Sequence, residues 1–175
     1  MKVYLDTNIL RDYTENRNQK SIEVVECIRL KGLECYTASL SMMELSDLQK
    51  DSIFFQKTVI GKKWDIDRFL RQRRQKDLSE DSYKEVEEYL STVNTKLSFL
   101  KFANLSEEGW GIAQFISSHS PLTSVDTIHL TTAYTAGCNL LITNDNQFIT
   151  AGTKILEKSA RKNDIHIVLP EKASL

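Results

Sequence analysis

The chain has 175 residues, 41% of them hydrophobic and 27% charged, with a formal net charge of −1. This length and composition predict one globular domain with a sizeable core and exclude a disordered chain. The near balance of charge excludes a globally basic nucleic-acid binder, so contact with a polyanion would need a local patch.

The first element is a short apolar run, Val3-Tyr4-Leu5, that ends on Asp6. Such a run reads as a buried strand delivering one carboxylate to the rim of a sheet, where open α/β sheets bind ligands. Asp6 equally suits the N-cap of a helix over Thr7–Tyr13. Thr14–Lys20 reads as a loop. A helix follows with Ile22, Val25 and Ile28 on its apolar face and Lys31-Gly32 as its stop. Cys35–Ala38 is a second strand, and Ser39 or Ser41 caps a helix through Met42–Gln49. There Leu40, Glu44 and Leu48 lie at i, i+4 and i+8. Glu44 thus occupies an apolar stripe, where a carboxylate is costly unless it is paired, binds a cation, or reaches water from the stripe's edge.

Over residues 57–76, Lys57, Lys62, Lys63, Arg68, Arg71, Arg73, Arg74 and Lys76 face only Asp65 and Asp67. Trp64, Phe69 and Leu70 are interleaved, and a helix over Asp65–Gln75 with a basic face is predicted. Asp77–Glu88 reverses the sign, with six acids against Lys84. The two blocks read either as a hairpin whose charges face each other or as an arm that grips phosphates. Tyr83, Val86, Tyr89, Leu90, Val93 and Leu97 define an amphipathic helix. Phe99–Ala103 is a third strand, and Ser106-Glu107-Glu108 opens a helix to about Ser118.

Thr123 or Ser124 caps a helix over Val125–Ala136, with Gly137 as its stop. That helix carries no Lys, Arg or Glu and is expected to be buried against the sheet. Asp126, in its first turn, suits a Thr-x-x-Asp capping box, and a cap can hold a carboxylate in place for other work. Asn139–Thr143 is an apolar strand that ends on Asn144-Asp145, echoing the opening motif, and Asp145 also suits a turn or cap. Phe148 anchors a short helical turn, Ile165–Leu169 is a last strand, and a tail begins at Pro170. The alternation predicts an α/β fold with a parallel sheet and helices on both faces. Cys27, Cys35 and Cys138 fit neither zinc spacing nor a redox pair and read as core residues of a reducing compartment. No leader pattern and no apolar run near ~18–20 residues is present, so neither secretion nor membrane spanning is expected.

Asp6 and Asp145 leave the ends of buried strands. Glu44 and Asp126 lie in the first two turns of helices that should start on the same rim, so all four can converge. Clustered carboxylates need a counter-charge, and an all-oxygen set without His or Cys favours Mg²⁺ or Mn²⁺ over zinc. Such a site suits hydrolysis of a phosphodiester.

Four stretches carry a family resemblance: Leu5-Asp6-Thr7-Asn8-Ile9-Leu10, Ser41-Met42-Met43-Glu44-Leu45, Asp126-Thr127-Ile128-His129-Leu130-Thr131-Thr132-Ala133 and Thr143-Asn144-Asp145-Asn146-Gln147-Phe148. In this order and spacing the sequence resembles the PIN-domain nucleases, including toxins of bacterial and archaeal toxin–antitoxin pairs. The length predicts one domain over 1–175, and the basic block reads as a helical insertion at about 51–77. The resemblance implies a three-layer α/β fold with a central parallel sheet flanked by helices. It implies a Mg²⁺- or Mn²⁺-dependent endoribonuclease with Asp6, Glu44, Asp126 and Asp145 as catalytic metal ligands and Asn8 and Thr143 in support. Expected with it are an RNA substrate gripped by Arg68, Arg71, Arg74, Lys62 and Lys63, an antitoxin partner, a homodimer and a cytoplasmic setting. The insertion departs from the compact toxins. A non-catalytic RNA- or protein-binding module on the same fold is the alternative.

Other chemistries lack their residues. A haloacid-dehalogenase-type phosphatase needs a second acid at position 8, which is Asn. No P-loop, Gly-rich dinucleotide turn or nucleophile elbow is present. His129, alone on a buried helix, reads as structural rather than as a catalytic base.

Overall fold

A computed structural model describes residues 1–158 and 165–175. The chain forms two compact units, Met1–Ser41 with Leu97–Leu175, and Met42–Lys96. In chain order the helices are α1 (Thr7–Glu15), α2 (Gln19–Leu30), α3 (Leu40–Phe55), α4 (Ile66–Gln72), α5 (Glu80–Lys96), α6 (Glu107–His119), α7 (Ser124–Thr135) and α8 (Asn146–Lys158).

The first unit is built on an all-parallel sheet of β1 (Lys2–Leu5), β2 (Glu34–Ala38), β3 (Lys101–Ala103), β4 (Leu140–Ile142) and β5 (His166–Val168). The strand order is β3-β2-β1-β4-β5. β1 takes the centre because Val3, Tyr4 and Leu5 are apolar on both faces, and all three are fully buried. Val3 pairs with Cys35 on one side and Leu140 on the other, and Leu5 pairs with Ile142. From β1 the chain runs through β2 and β3 to one edge, and β4 leads to β5 at the other. Right-handed crossovers then send the connecting helices to opposite faces and give three layers. α6, α7 and α8 cover the face of Tyr4, Ala38, Leu141 and Ile167, burying Ile116, Leu130, Phe148 and Ile155 in one core. The gap between β1 and β4, where the direction of winding reverses, is the switch point at which α/β sheets open a crevice.

α7 forms as its sequence predicts: the Thr123–Asp126 capping box starts it, and Gly137, at φ +68°, follows its end. α8 differs from expectation. In place of a short turn it is a 13-residue helix. Gly152 interrupts its apolar stripe, and a Cβ there would come 2.5 Å from Ile167 Cδ1, so the glycine lets α8 lie close on β5. α1 also runs further than predicted, to Glu15, with Thr14 inside it and its Oγ1 bonded back to Leu10 O at 2.9 Å.

In the second unit α3 continues past the predicted end at Gln49 to Phe55 and passes into a π-helix, Gln56–Gly61. The Lys62 amide reaches Lys57 O at 3.2 Å, the longer spacing that defines such a turn. The predicted helix over Asp65–Gln75 is α4, capped by Asp65, followed by a tighter turn over Arg73–Gln75. Ile53, Phe54, Phe69, Leu78 and Val86 form the core of this unit, with the Phe54 and Phe69 rings stacked at 5.6 Å. Part of the basic block serves this structure. Arg73 and Lys76 both pair with Asp51, the latter at 2.9 Å, and Lys57 pairs with Glu85 at 3.5 Å. Arg68 lies over the Trp64 ring at 4.0 Å. Among the described residues Lys62, Lys63, Arg68, Arg71 and Arg74 make no ion pair. The three cysteines are free thiols, and no helix among the described residues is long and apolar enough to cross a membrane.

Candidate functional site

β1 ends at Leu5, and the next amide, that of Asp6, donates to Ile142 O on β4 at 3.0 Å. This single bond sets Asp6 beside Thr143. Asp6 is buried, 7% exposed as a residue, and its carboxylate is held from both sides. Its Oδ1 accepts from the Thr7 amide at 2.7 Å, so it does cap α1. Its Oδ2 accepts from Asn8 Nδ2 at 2.7 Å and from Thr143 Oγ1 at 2.6 Å. The predicted cap and the predicted rim carboxylate are therefore the same group.

Thr143 is fully buried, and its hydroxyl uses its whole bonding capacity. It donates to Asp6 and accepts from Asn8 Nδ2 at 2.9 Å and from the Asp145 amide at 3.0 Å. Asn8 closes the circuit, accepting from the Asn144 amide at 3.0 Å. Asp145 is tied to the same rim through its backbone. Its Oδ1 caps α8, accepting from Gln147 N at 2.7 Å and Phe148 N at 3.0 Å. Asp126 behaves in the same way on α7: its Oδ2 accepts from Thr123 Oγ1 at 2.7 Å and Thr123 N at 3.3 Å. Each of these two carboxylates thus spends one oxygen on its own helix. Among the described residues nothing donates to Asp145 Oδ2 or Asp126 Oδ1.

The structure brings Asp6, Asn8, Thr143 and the Asp145 backbone into one hydrogen-bonded rim. Asp126 starts the neighbouring helix. Glu44 lies in α3, half-buried, in the second unit. Among the described residues no group of three or more His, Cys, Asp or Glu side chains lies close enough to hold one ion. By donor chemistry the acids fit a hard cation, offering carboxylate oxygens and no sulfur.

His129 is the buried structural histidine that its helix predicts, but its contacts, like those of Asp12, were outside the sequence reading. His129 is buried, with Nδ1 at 2.7 Å from Tyr4 Oη and Nε2 at 3.4 Å from Thr7 Oγ1 and 3.9 Å from Asp6 Oδ1. It anchors α7 to β1 and flanks Asp6. Behind the rim, Asn144 Nδ2 donates to Asp12 Oδ2 at 2.7 Å and to Ser21 Oγ at 3.0 Å. Asp12 falls four residues after Asn8, on the same face of α1, which was its only local signal.

The PIN domain family model matches residues 3–154. The chain belongs to the PIN domain family. No curated protein matches it by sequence. Solved PIN-like structures resemble it in fold. VapBC2 from Rickettsia felis, bound to a DNA fragment from its promoter, is 13% identical with a TM-score of 0.61, covering 97% of this chain and 98% of that one. FitAcB from Neisseria gonorrhoeae is 14% identical with a TM-score of 0.58, covering 98% and 99%. FitAB bound to an IR36 DNA fragment is 13% identical with a TM-score of 0.56, covering 99% and 98%. At these identities the likeness is one of fold.

Proposed function

We propose that this PIN protein is a metal-dependent endoribonuclease that hydrolyses RNA phosphodiester bonds, and that it is the toxin of a toxin–antitoxin pair. The observation that carries the reading is the rim itself. One saturated hydroxyl, that of Thr143, fixes Asp6 and the Asp145 backbone at the switch point of a parallel sheet. Asp126 and Asp145 each keep one carboxylate oxygen clear of hydrogen bonds.

On this reading Asp6, Glu44, Asp126 and Asp145 hold Mg²⁺ or Mn²⁺. When bound, the ion polarises the phosphoryl group and makes water a better nucleophile. Asn8 and Thr143 hold the Asp6 carboxylate in one orientation. The caps of α7 and α8 do the same for Asp126 and Asp145, so little reordering accompanies binding. Arg68, Arg71, Arg74, Lys62 and Lys63 grip the RNA backbone. The toxin reading draws on PIN family membership and on the VapBC2 and FitAB assemblies that share the fold. It brings an antitoxin partner, a homodimer and a cytoplasmic setting.

The absence of a three-ligand cluster among the described residues favours a second reading, a non-catalytic RNA- or protein-binding module. Single-stranded RNA incubated with the purified protein in Mg²⁺, Mn²⁺ or EDTA separates the two. Cleavage should require the metal and fall on the order of a hundredfold or more in Asp6→Asn, Asp126→Asn and Glu44→Gln. Binding without cleavage in any metal, or residual cleavage indifferent to these substitutions, supports the module instead. Changing Arg68, Arg71 and Arg74 together to Ala should flatten the salt dependence of RNA binding by about two units of slope.

A further inference from the structure

Between the His119–Thr123 turn, the start of α7 and α8 lies a cavity of about 690 Å³. Its size is that of a site for a nucleoside-scale ligand. Its lining is ordered by charge. Asp126, in the first turn of α7, lines it together with Asn146 and Gln147 of the first turn of α8, next to Asp145. Lys154 and Lys158 line it further along α8, one turn apart, so they share a face. From Gln147 to Lys154 the helix advances about 10 Å. Neither lysine makes an ion pair among the described residues. Pro121, exposed, and Ala151, half-buried, add apolar surface over the buried Leu122, Phe148 and Ile155. An acid, then an apolar floor, then two unpaired cations is the chemical order of a metal-bound phosphate, a base and the next phosphate.

We propose that this cavity is a nucleotide subsite for single-stranded RNA, resting on the nuclease reading above. One base lies against the apolar floor, and the phosphate beyond it is held by Lys154 and Lys158. The charge order gives the strand a direction, because a phosphate is drawn to the lysine end and repelled from the carboxylates. Phosphate contact by lysine supplies affinity without sequence readout, and the base contact on the floor sets which nucleotide is preferred.

The test uses the full chain and a fluorescent RNA pentamer in EDTA, where binding is read without bond breakage. Lys154→Gln with Lys158→Gln should weaken the pentamer about tenfold at low salt. The slope of log K against log salt should drop by about 1.4, from two phosphate contacts of single-stranded nucleic acid. Both lysines are exposed, so the melting temperature should not move. Ala151→Trp, which fills the cavity from α8, should weaken the pentamer with the lysines intact, and its melting curve reports whether it folds. An unchanged affinity and salt slope in the double lysine variant overturns the subsite. Equal affinity for the DNA pentamer of the same sequence overturns its assignment to RNA. A parallel arm with Mn²⁺ keeps the two readings apart: an inert unaltered protein fails the nuclease reading, whereas cleavage with lysine-independent binding fails the subsite alone.

Discussion

Thr143 Oγ1 is a fully committed polar atom of the rim, with one bond given and two received. Val has nearly the same shape and no hydroxyl. Thr143→Val therefore leaves the Asn8 amide and the Asp145 amide short of an acceptor and removes a donor from Asp6, and it should cost about 2 kcal/mol or more of stability. Chemical denaturation of the two proteins measures it; a variant as stable as the parent would mean the rim is not a stability element. Thiol chemistry gives an independent check on burial. Desolvation pushes the Cys35 thiol up to about 12, with Cys138 adding to the effect, and burial pushes Cys138 up to about 11. Both stay protonated at neutral pH and should react with a thiol reagent only on unfolding. Half-buried Cys27 should be the single fast-reacting thiol in the native protein.

Among the elements, the clamp of α3 onto the turn after α4 has a pH signature. Burial works to raise the Asp51 carboxyl, but hydrogen bonds and charge from Arg73 and Lys76 outweigh it and hold the group below its ordinary value of 3.8. A carboxyl lowered on folding adds stability that is full above about pH 4 and is lost as pH falls through the folded value. Asp51→Asn should thus cost about 1–2 kcal/mol at neutral pH, allowing for partial solvent screening, and little in strong acid. Urea melts at both pH values check the sign. This clamp also explains a limit of sequence reading. Lys50-Asp51 looks like a polar break after Gln49, whereas Asp51 is polar because it pairs with residues more than 20 positions later. The same holds for α8: Gly152 spoils its apolar rhythm, and only the approach of Ile167 supplies the reason. By contrast β1, β4 and α7 were legible, since an unbroken apolar run or a helix without long charged side chains leaves few places but the interior. Asp6 and Asp145 were legible through the echo between two strand ends, and Asn8 and Thr143 only through the family resemblance. The contacts of His129 with Asp6 and of Asp12 with Asn144 join separate elements and left no trace in local spacing.

For the molecule as a whole, a ligand that binds only the folded state raises stability with the logarithm of its concentration over its dissociation constant. Mn²⁺ at about a hundredfold over its dissociation constant should add about 2.7 kcal/mol. A melting curve with and without Mn²⁺ measures it, and Asp126→Asn should shrink the shift. An equal shift in that variant would remove Asp126 from the metal set. The register of the central strand has a further consequence. β1 is the first strand made, yet its second neighbour is β4, at residues 140–142. The ribosome must add 137 residues after Asp6 before that aspartate can meet Thr143. A chain cut before Thr143 therefore leaves the Asp6 carboxylate without the hydroxyl that fixes its second oxygen.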